Sequence, residues 1–196
     1  MGDVVFLEVA VSGGAPCEVA WVSHDLGRGY SCLVRPADGW ELGEGGQFSR
    51  AELMASGKPA EEIARQLNKD LAGAKVLTAD PRATGPRLRL LFEAARTKIA
   101  FKIVHTDVTD VESYISQACM TGNVSFEAHH ELVADIIGEA GLTADRALDI
   151  ALRHALNLCA VLVRQLAEDG QRPLAARLRN TLKDRMLALR ATAGMR

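Results

Sequence analysis

The chain has few of the residues that mark several large classes of protein. Only 5% of its residues are aromatic, and its formal net charge is −2 over 196 residues. This near-neutral total excludes a protein that holds nucleic acid by bulk positive charge, although a local basic patch can still attract phosphate. The chain also lacks an uninterrupted apolar run of about 18 residues, so we expect no membrane span.

Cysteine is scarce as well. The four cysteines are widely spaced and lie mostly in apolar sequence: Cys17, Cys32, Cys119 and Cys159. They form no pair with metal-ligand spacing, which predicts buried free thiols in a reducing compartment. The N-terminus lacks the basic segment and the small-residue cleavage site of a secretory signal. We therefore expect a cytoplasmic protein.

The apolar residues that are present, 48% of the chain, can form the core of one domain. Alternation and turn residues predict strands at residues 4–11, 17–23, 30–35, 75–79 and 101–106. Helical periodicity and capping residues predict helices at 49–56, 59–72, 87–96, 129–140, 144–168 and after Pro173. The alternation of strands and helices in the middle of the chain is typical of a mixed α/β sheet.

The last predicted helix combines an apolar stripe with a basic face. Residues 171–196 contain seven Lys or Arg and one acidic residue, Asp184. The stripe consists of Leu174, Leu178, Leu182, Met186 and Leu189. It can pack on its own domain, pair with another subunit to form a homodimer, or leave its basic face to bind phosphate. The sequence leaves these three interpretations open.

Three segments carry a motif pattern in chain order. They are Phe-Leu-Glu-Val-Ala at 6–10, Leu-Thr-Ala-Asp and its continuation at 77–91, and Asp-Arg-Ala-Leu-Asp-Ile-Ala at 145–151. Together with Tyr-Ser-Cys-Leu-Val-Arg-Pro at 30–36, they resemble the DEDDh family of 3'-5' exonucleases. The resemblance runs from about residue 4 to 168. It implies a ribonuclease H-like, mixed five-stranded sheet flanked by helices in residues 1–168, followed by a helical extension in 169–196.

The resemblance also implies a chemistry, which this sequence does not support. Family members bind two divalent cations, Mg²⁺ or Mn²⁺, through four carboxylates and use a histidine as general base. At the matching positions this chain has Glu8, Ala10, Thr84, Asp145 in place of the histidine, and Ile150 as the last residue. Only one carboxylate of four remains, and the base is missing. Such losses within a cooperative catalytic unit cost orders of magnitude in rate.

Two further aspartates lie beside the lost positions. Asp80 could substitute for Thr84 if the alignment shifts by one gap. Asp149 neighbours Ile150, but one helical step turns a side chain by about 100°, so we expect it to point away. If the chain is active, the metal ligands would be Glu8, Asp80, Asp145 and Asp149.

Ordinary structural roles also account for the titratable residues of these segments. Glu8 is then a partly exposed strand-end carboxylate, and Asp145 and Asp149 are acids favoured at a helix start. The adjacent His129 and His130 point in different directions on a helix, which predicts a surface role rather than a metal site.

The sequence therefore favours a degenerate exonuclease-like protein that is inactive and binds single-stranded nucleic acid or a protein partner, without a cofactor. One alternative is an active, Mg²⁺- or Mn²⁺-dependent 3'-5' exonuclease with a rearranged carboxylate site. Another is a regulatory, partner-binding subunit that binds no nucleic acid.

Overall fold

The computed structural model describes residues 3–43, 46–104 and 111–193, and it has a mixed α/β architecture. The strands are β1 (Val4–Ser12), β2 (Ala15–Ser23), β3 (Gly29–Leu33) and β4 (Lys75–Leu77). The helices are α1 (Arg50–Ser56), α2 (Ala60–Asp70), α3 (Pro81–Ala94), α4 (Val111–Thr121), α5 (Phe126–Ala140), α6 (Ala147–Glu168) and α7 (Arg172–Ala193).

The sheet has the strand order β3-β2-β1-β4. The first three strands form an antiparallel meander, and β4 joins β1 in parallel. Antiparallel neighbours need only short turns, whereas the parallel partner is reached through a crossover that contains α1 and α2. The predicted three-strand opening is confirmed.

The two faces of the sheet are covered by different helices, and the two-residue period of β1 decides which side chains meet which helix. Val5, Leu7 and Val9 join the core that contains α2 and α3. Phe6 and Ala10 pack with the other core, which contains α5, α6 and α7. Side chains at even positions of β1 therefore face α6.

The predicted fifth strand, residues 101–106, is not confirmed. In the described part of this segment the backbone makes a single parallel bridge between Ile103 and Val76, and the amide of Val104 donates to the Val76 carbonyl at 2.9 Å. Residues 105 and 106 lie outside the described ranges. The described chain thus contains a four-stranded sheet.

The helix after β4 starts earlier than its sequence predicts. Helix α3 begins at Pro81 rather than near residue 87, even though Gly85 and Pro86 lie inside it. Asp80 caps its N-terminus by accepting from the amides of Arg82 and Ala83, and proline at the first helical position has no amide to satisfy. Helix α4 has no counterpart among the predicted elements.

The C-terminal helix α7 packs on its own domain. Ala175, Leu182 and Met186 of its apolar side are buried, mainly against α6. Leu174 remains 41% exposed. Packing on its own domain, the first of the three interpretations of this helix, is what the structure contains.

Buried free thiols are confirmed at Cys17, Cys32 and Cys119, while Cys159 is half-buried and donates to the carbonyl of His24. Within the described ranges, no helix is long and apolar enough to cross a bilayer.

Candidate functional site

The site that the motif pattern predicts lies where β1 faces the first turns of α6. Glu8 and Ala10 point toward this helix because they occupy even positions of β1. The short segment after β4 and the start of α3 border the site on one side, and the residues before α6 border it on the other.

Glu8 is buried, with 5% of its surface exposed, so the prediction of a partly exposed carboxylate was wrong. Its Oε1 accepts a hydrogen bond of 2.7 Å from the amide of Ala79 and a longer one of 3.4 Å from the hydroxyl of Thr78. Burial raises the pKa of Glu8 to about 7, although the Ala79 amide and Arg87 act in the opposite direction. Near neutral pH the carboxyl group is therefore partly protonated.

His154 of α6 lies beside this carboxyl group, and sequence reasoning missed it. Its Nε2 is 3.7 Å from Oε1 of Glu8, within ion-pair reach but beyond hydrogen-bond distance. Burial, together with the smaller effect of the Arg153 charge, lowers the pKa of His154 to about 4. The imidazole is thus neutral at pH 7, and it contacts a carboxyl group whose charge is also disfavoured. His154 follows Ile150 by one helical turn, which is the signal that could have identified it.

The second segment supplies a pair of threonines instead of a carboxylate. The hydroxyls of Thr84 and Thr78 are 2.8 Å apart and buried. Asp80, the proposed substitute, is exposed and caps α3 with its Oδ1. Its charge acts on Glu8 only weakly, as the smallest of the contributions to the pKa of that group.

A second buried carboxylate, Glu18, lies on the same face of the sheet and was also missed. It is the register partner of Ala10, the position where the motif requires a carboxylate. Its carboxylate accepts from the guanidinium of Arg146 at 2.8–3.1 Å, from the amide of Ala147 at 2.8 Å and from the hydroxyl of Ser31 at 3.0 Å. An acidic residue inside an otherwise apolar strand was the available signal.

The contacts of Glu18 place the start of α6. Arg146 directly precedes the helix and has no side-chain cap of its own, so the Glu18 carboxylate satisfies the amide of Ala147 instead. The guanidinium of Arg146 also lies over the ring of Phe48, 5.2 Å from its centroid. The positive charge beside the Glu18 carboxylate is thus the guanidinium of Arg146.

The three predicted residues of the third segment separate in space. Asp145 is exposed and Ile150 is half-buried. Asp149 is 1% exposed and accepts from the amide of Thr143 at 2.9 Å and from Nη2 of Arg190 at 3.0 Å. As the helical rotation predicts, Asp149 points toward α7 and not toward Glu8.

The prediction of a surface role was wrong for one of the two adjacent histidines. His129 is fully buried, whereas His130 is exposed and contacts the carbonyl of Phe126 through Nδ1 at 2.9 Å. Burial lowers the pKa of His129, so its ring is neutral within the core.

The donor set does not fit a pair of divalent cations. Such ions require several charged oxygen ligands around a common centre. Across residues 3–43, 46–104 and 111–193, no group of three or more His, Cys, Asp or Glu side chains could hold a metal ion. Of the four carboxylates suggested for an active site, only Glu8 lies in the buried centre.

No protein-family model matches this chain, and no curated protein sequence matches it. Solved structures do. E. coli exonuclease I in complex with a dA16 oligonucleotide is similar over 96% of this chain and 46% of that chain, with 14% identity and a TM-score of 0.54. The zinc-ion-bound form of an E. coli exonuclease I–single-stranded DNA complex is similar over 88% of this chain and 42% of that chain, with 12% identity and a TM-score of 0.54.

The predicted resemblance to exonucleases is confirmed at the level of the fold, which this chain shares with E. coli exonuclease I. The chain spans less than half of the length of the exonuclease I chains that it matches. The nuclease domain of 3'hExo, a DEDDh family member, is similar with a lower TM-score of 0.46 and 11% identity.

Proposed function

We propose that this protein is a catalytically degenerate exonuclease-like protein that binds single-stranded nucleic acid, or a protein partner, without cleaving a phosphodiester. One observation supports the proposal above all. Glu8, Glu18, Asp80 and Asp149 each accept at least one hydrogen bond from a backbone amide of this chain. A metal ion that used any of these four carboxylates would have to compete with such a donor.

The described residues also include no suitable general base for the proton transfer that the family uses. Asp145 occupies the position of the general base but is exposed to solvent, whereas Glu8 is buried. His154 is nearer to the centre, yet its buried Nε2 points at Glu8. We therefore propose a function that requires neither Mg²⁺ nor Mn²⁺ as a cofactor.

Nucleic-acid binding is proposed from the fold and from local charge. Among the similar exonuclease I structures are complexes with a dA16 and with a dT13 oligonucleotide. In this chain Arg172 and Arg177 of α7 are exposed and make no ion pair with any residue in the described ranges. Free arginines of this kind can contact phosphate.

A nuclease assay tests the catalytic part of the proposal. Purified protein is incubated with 5'-labelled single-stranded DNA or RNA in the presence of Mg²⁺ or Mn²⁺, and products are resolved at single-nucleotide length. We expect no release of nucleotides. The matched control is Glu8→Gln, because activity from a contaminating nuclease would persist in it. Metal-dependent release that disappears in Glu8→Gln would overturn the proposal in favour of an active enzyme.

An anisotropy titration tests the binding part. Labelled single strands are titrated with protein at several salt concentrations, and binding through phosphate contacts should weaken as salt rises. A chain that binds no strand at any salt concentration would point to the alternative of a regulatory, partner-binding subunit.

The proposal also includes the division of the chain into domains and its oligomeric state. We propose a ribonuclease H-like domain in residues 1–168 and a C-terminal extension in residues 169–196. A homodimer formed through that extension would have to use its exposed apolar residues, Leu174 and Leu187, since Leu182 and Met186 are already covered. Sedimentation over a range of protein concentrations tests for the dimer.

A further inference from the structure

A cavity of about 480 Å³ lies between α4, α5 and α6. Its volume is within the range of roughly 300–1,000 Å³ that small-molecule sites occupy. His154 lines the cavity, and its Nε2 also lies 3.7 Å from Oε1 of Glu8, so the cavity and the buried carboxyl group have this side chain as a common neighbour.

The polar groups of the cavity favour an anion. Arg153, His130 and His154 contribute to its wall, and the described residues that line it include no Asp or Glu. Arg153 donates from Nη2 to the carbonyl of Leu142 at 2.8 Å, but its Nε is buried without a hydrogen-bond partner. A charged donor left unsatisfied in this way is costly, and an anionic oxygen would satisfy it with a small movement of the side chain.

Apart from Ser116 and Asn157, the rest of the wall is apolar, and it ends in an aromatic pair at the rim. Ile115, Val133 and Ile137 line the interior. At the rim, the ring of Phe126 stacks on that of His130 with centroids 5.9 Å apart, and Phe126 is 41% exposed. Exposed apolar rings are unfavourable in water, and a planar ligand can cover them. A nucleic-acid base is such a ligand, because any of the bases can stack on an aromatic side chain.

We propose that this cavity binds a nucleoside monophosphate group, with its phosphate at Arg153 and its base on the Phe126–His130 pair. The same chemistry is presented by a free mononucleotide and by the 5'-phosphorylated terminal nucleotide of a single strand. For the strand end, the inference rests on the nucleic-acid binding proposed above. For the free nucleotide it stands independently.

Calorimetric titration of the full chain with adenosine 5'-monophosphate tests the site. The nucleotide is expected to bind, whereas adenosine lacks the phosphate and ribose 5-phosphate lacks the base, and each should bind at least about tenfold more weakly. Arg153→Gln should weaken nucleotide binding by roughly 10- to 100-fold, the usual loss for a charged hydrogen bond. Arg65→Gln, which alters an exposed arginine of α2 outside the cavity, is the matched control and should leave binding unchanged.

Arg153→Gln also removes the hydrogen bond to the Leu142 carbonyl and could lower stability, so a second variant is needed. Phe126→Ala alters an exposed rim residue and should weaken binding by about tenfold through lost stacking. Absence of nucleotide binding to the unaltered chain, or nucleotide binding unaffected by Phe126→Ala and Arg153→Gln in folded protein, would overturn the inference.

A 5'-phosphorylated oligonucleotide separates this inference from the proposed function. If the strand binds equally well to the unaltered chain and to Arg153→Gln, while the mononucleotide does not bind, the cavity proposal fails and the proposed function stands. If the mononucleotide binds and no strand does, the cavity takes free nucleotides and the proposed nucleic-acid binding fails.

Discussion

The buried carboxylate of Glu18 and the guanidinium of Arg146 join residues that are far apart in the sequence, with Nε 3.0 Å from Oε2 and Nη2 2.8 Å from Oε1. This two-point contact fixes the start of α6 against β2. Glu18 lies directly across from Ala10 on the same face of the sheet, and Ala10 is the position where the motif pattern of an active enzyme requires a metal-binding carboxylate. The guanidinium of Arg146 therefore provides the positive charge next to Glu18.

The first prediction concerns this ion pair. Glu18→Ala should lower the free energy of unfolding by about 3 kcal/mol, because it leaves the guanidinium and the amide of Ala147 without their acceptor. Ser31→Ala is the matched control, since it removes only one neutral donor and should cost about 1 kcal/mol. Urea unfolding of both variants measures the difference. Equal losses would show that the ion pair does not stabilise the fold.

The second prediction concerns the pH dependence of stability at Glu8. Its pKa is raised from 4.5 to about 7, so the folded chain binds this proton more tightly than the unfolded chain. The resulting stabilisation is complete below pH 4.5 and is lost as the pH rises to about 7. Glu8→Gln has no proton to lose, so its stability relative to the unaltered chain should rise by about 2–3 kcal/mol between about pH 5 and about pH 8.

His154 does not obscure this measurement. Its pKa is lowered to about 4, so its own contribution rises between about pH 4 and pH 6.5 and is constant in each protein at higher pH, where Glu8 still titrates. Denaturant titrations at each pH give the two stability curves. A constant difference between them would mean that the Glu8 carboxyl group titrates normally.

The third prediction separates the two aspartates of the third segment. Asp149→Ala should destabilise the fold by about 3 kcal/mol, because Arg190 and the amide of Thr143 lose a buried acceptor. Asp145→Ala, at an exposed position on the same turn of chain, should change stability by less than about 0.5 kcal/mol. Thermal unfolding of the pair measures this. A large loss in Asp145→Ala alone would contradict the arrangement described above.

The fourth prediction concerns a substitution toward the family pattern. Thr84→Asp would place a carboxylate beside Thr78 and close to the buried Glu8, where a second negative charge is unfavourable. We expect a loss of about 1–3 kcal/mol of stability at neutral pH and a smaller loss under acidic conditions. Thr84→Asn, which has nearly the same shape without the charge, is the control. Equal stability of the two variants at neutral pH would indicate that the site tolerates the charge.

Local patterns sufficed to predict several elements of the fold. Helix α2 was recognisable because Ile63, Leu67 and Leu71 recur at helical spacing, and all three are buried. The start of α3 was not predicted because an internal proline usually marks the end of a helix. Pro86 nevertheless lies inside α3, whose first residue, Pro81, is also a proline. The capping contacts of Asp80, which decide that boundary, follow from three-dimensional geometry rather than from composition.

The candidate site was only partly predictable for a similar reason. The motif pattern identified Glu8 and the absence of its expected partners. It did not identify Glu18 or His154, because the motif has no required residue at either position. Their role follows from strand register and helix rotation, which become definite only when β1, β2 and α6 are packed together.

The close packing of α7 on α6 has a consequence for handling the protein. The two helices are joined by a short turn through Gly170, whose φ is +77°, and α7 covers part of the apolar surface of α6. A fragment that ends before this turn would leave that surface open to water. Such a fragment should be poorly soluble when expressed alone, whereas α7 supplied as a separate peptide should restore its solubility.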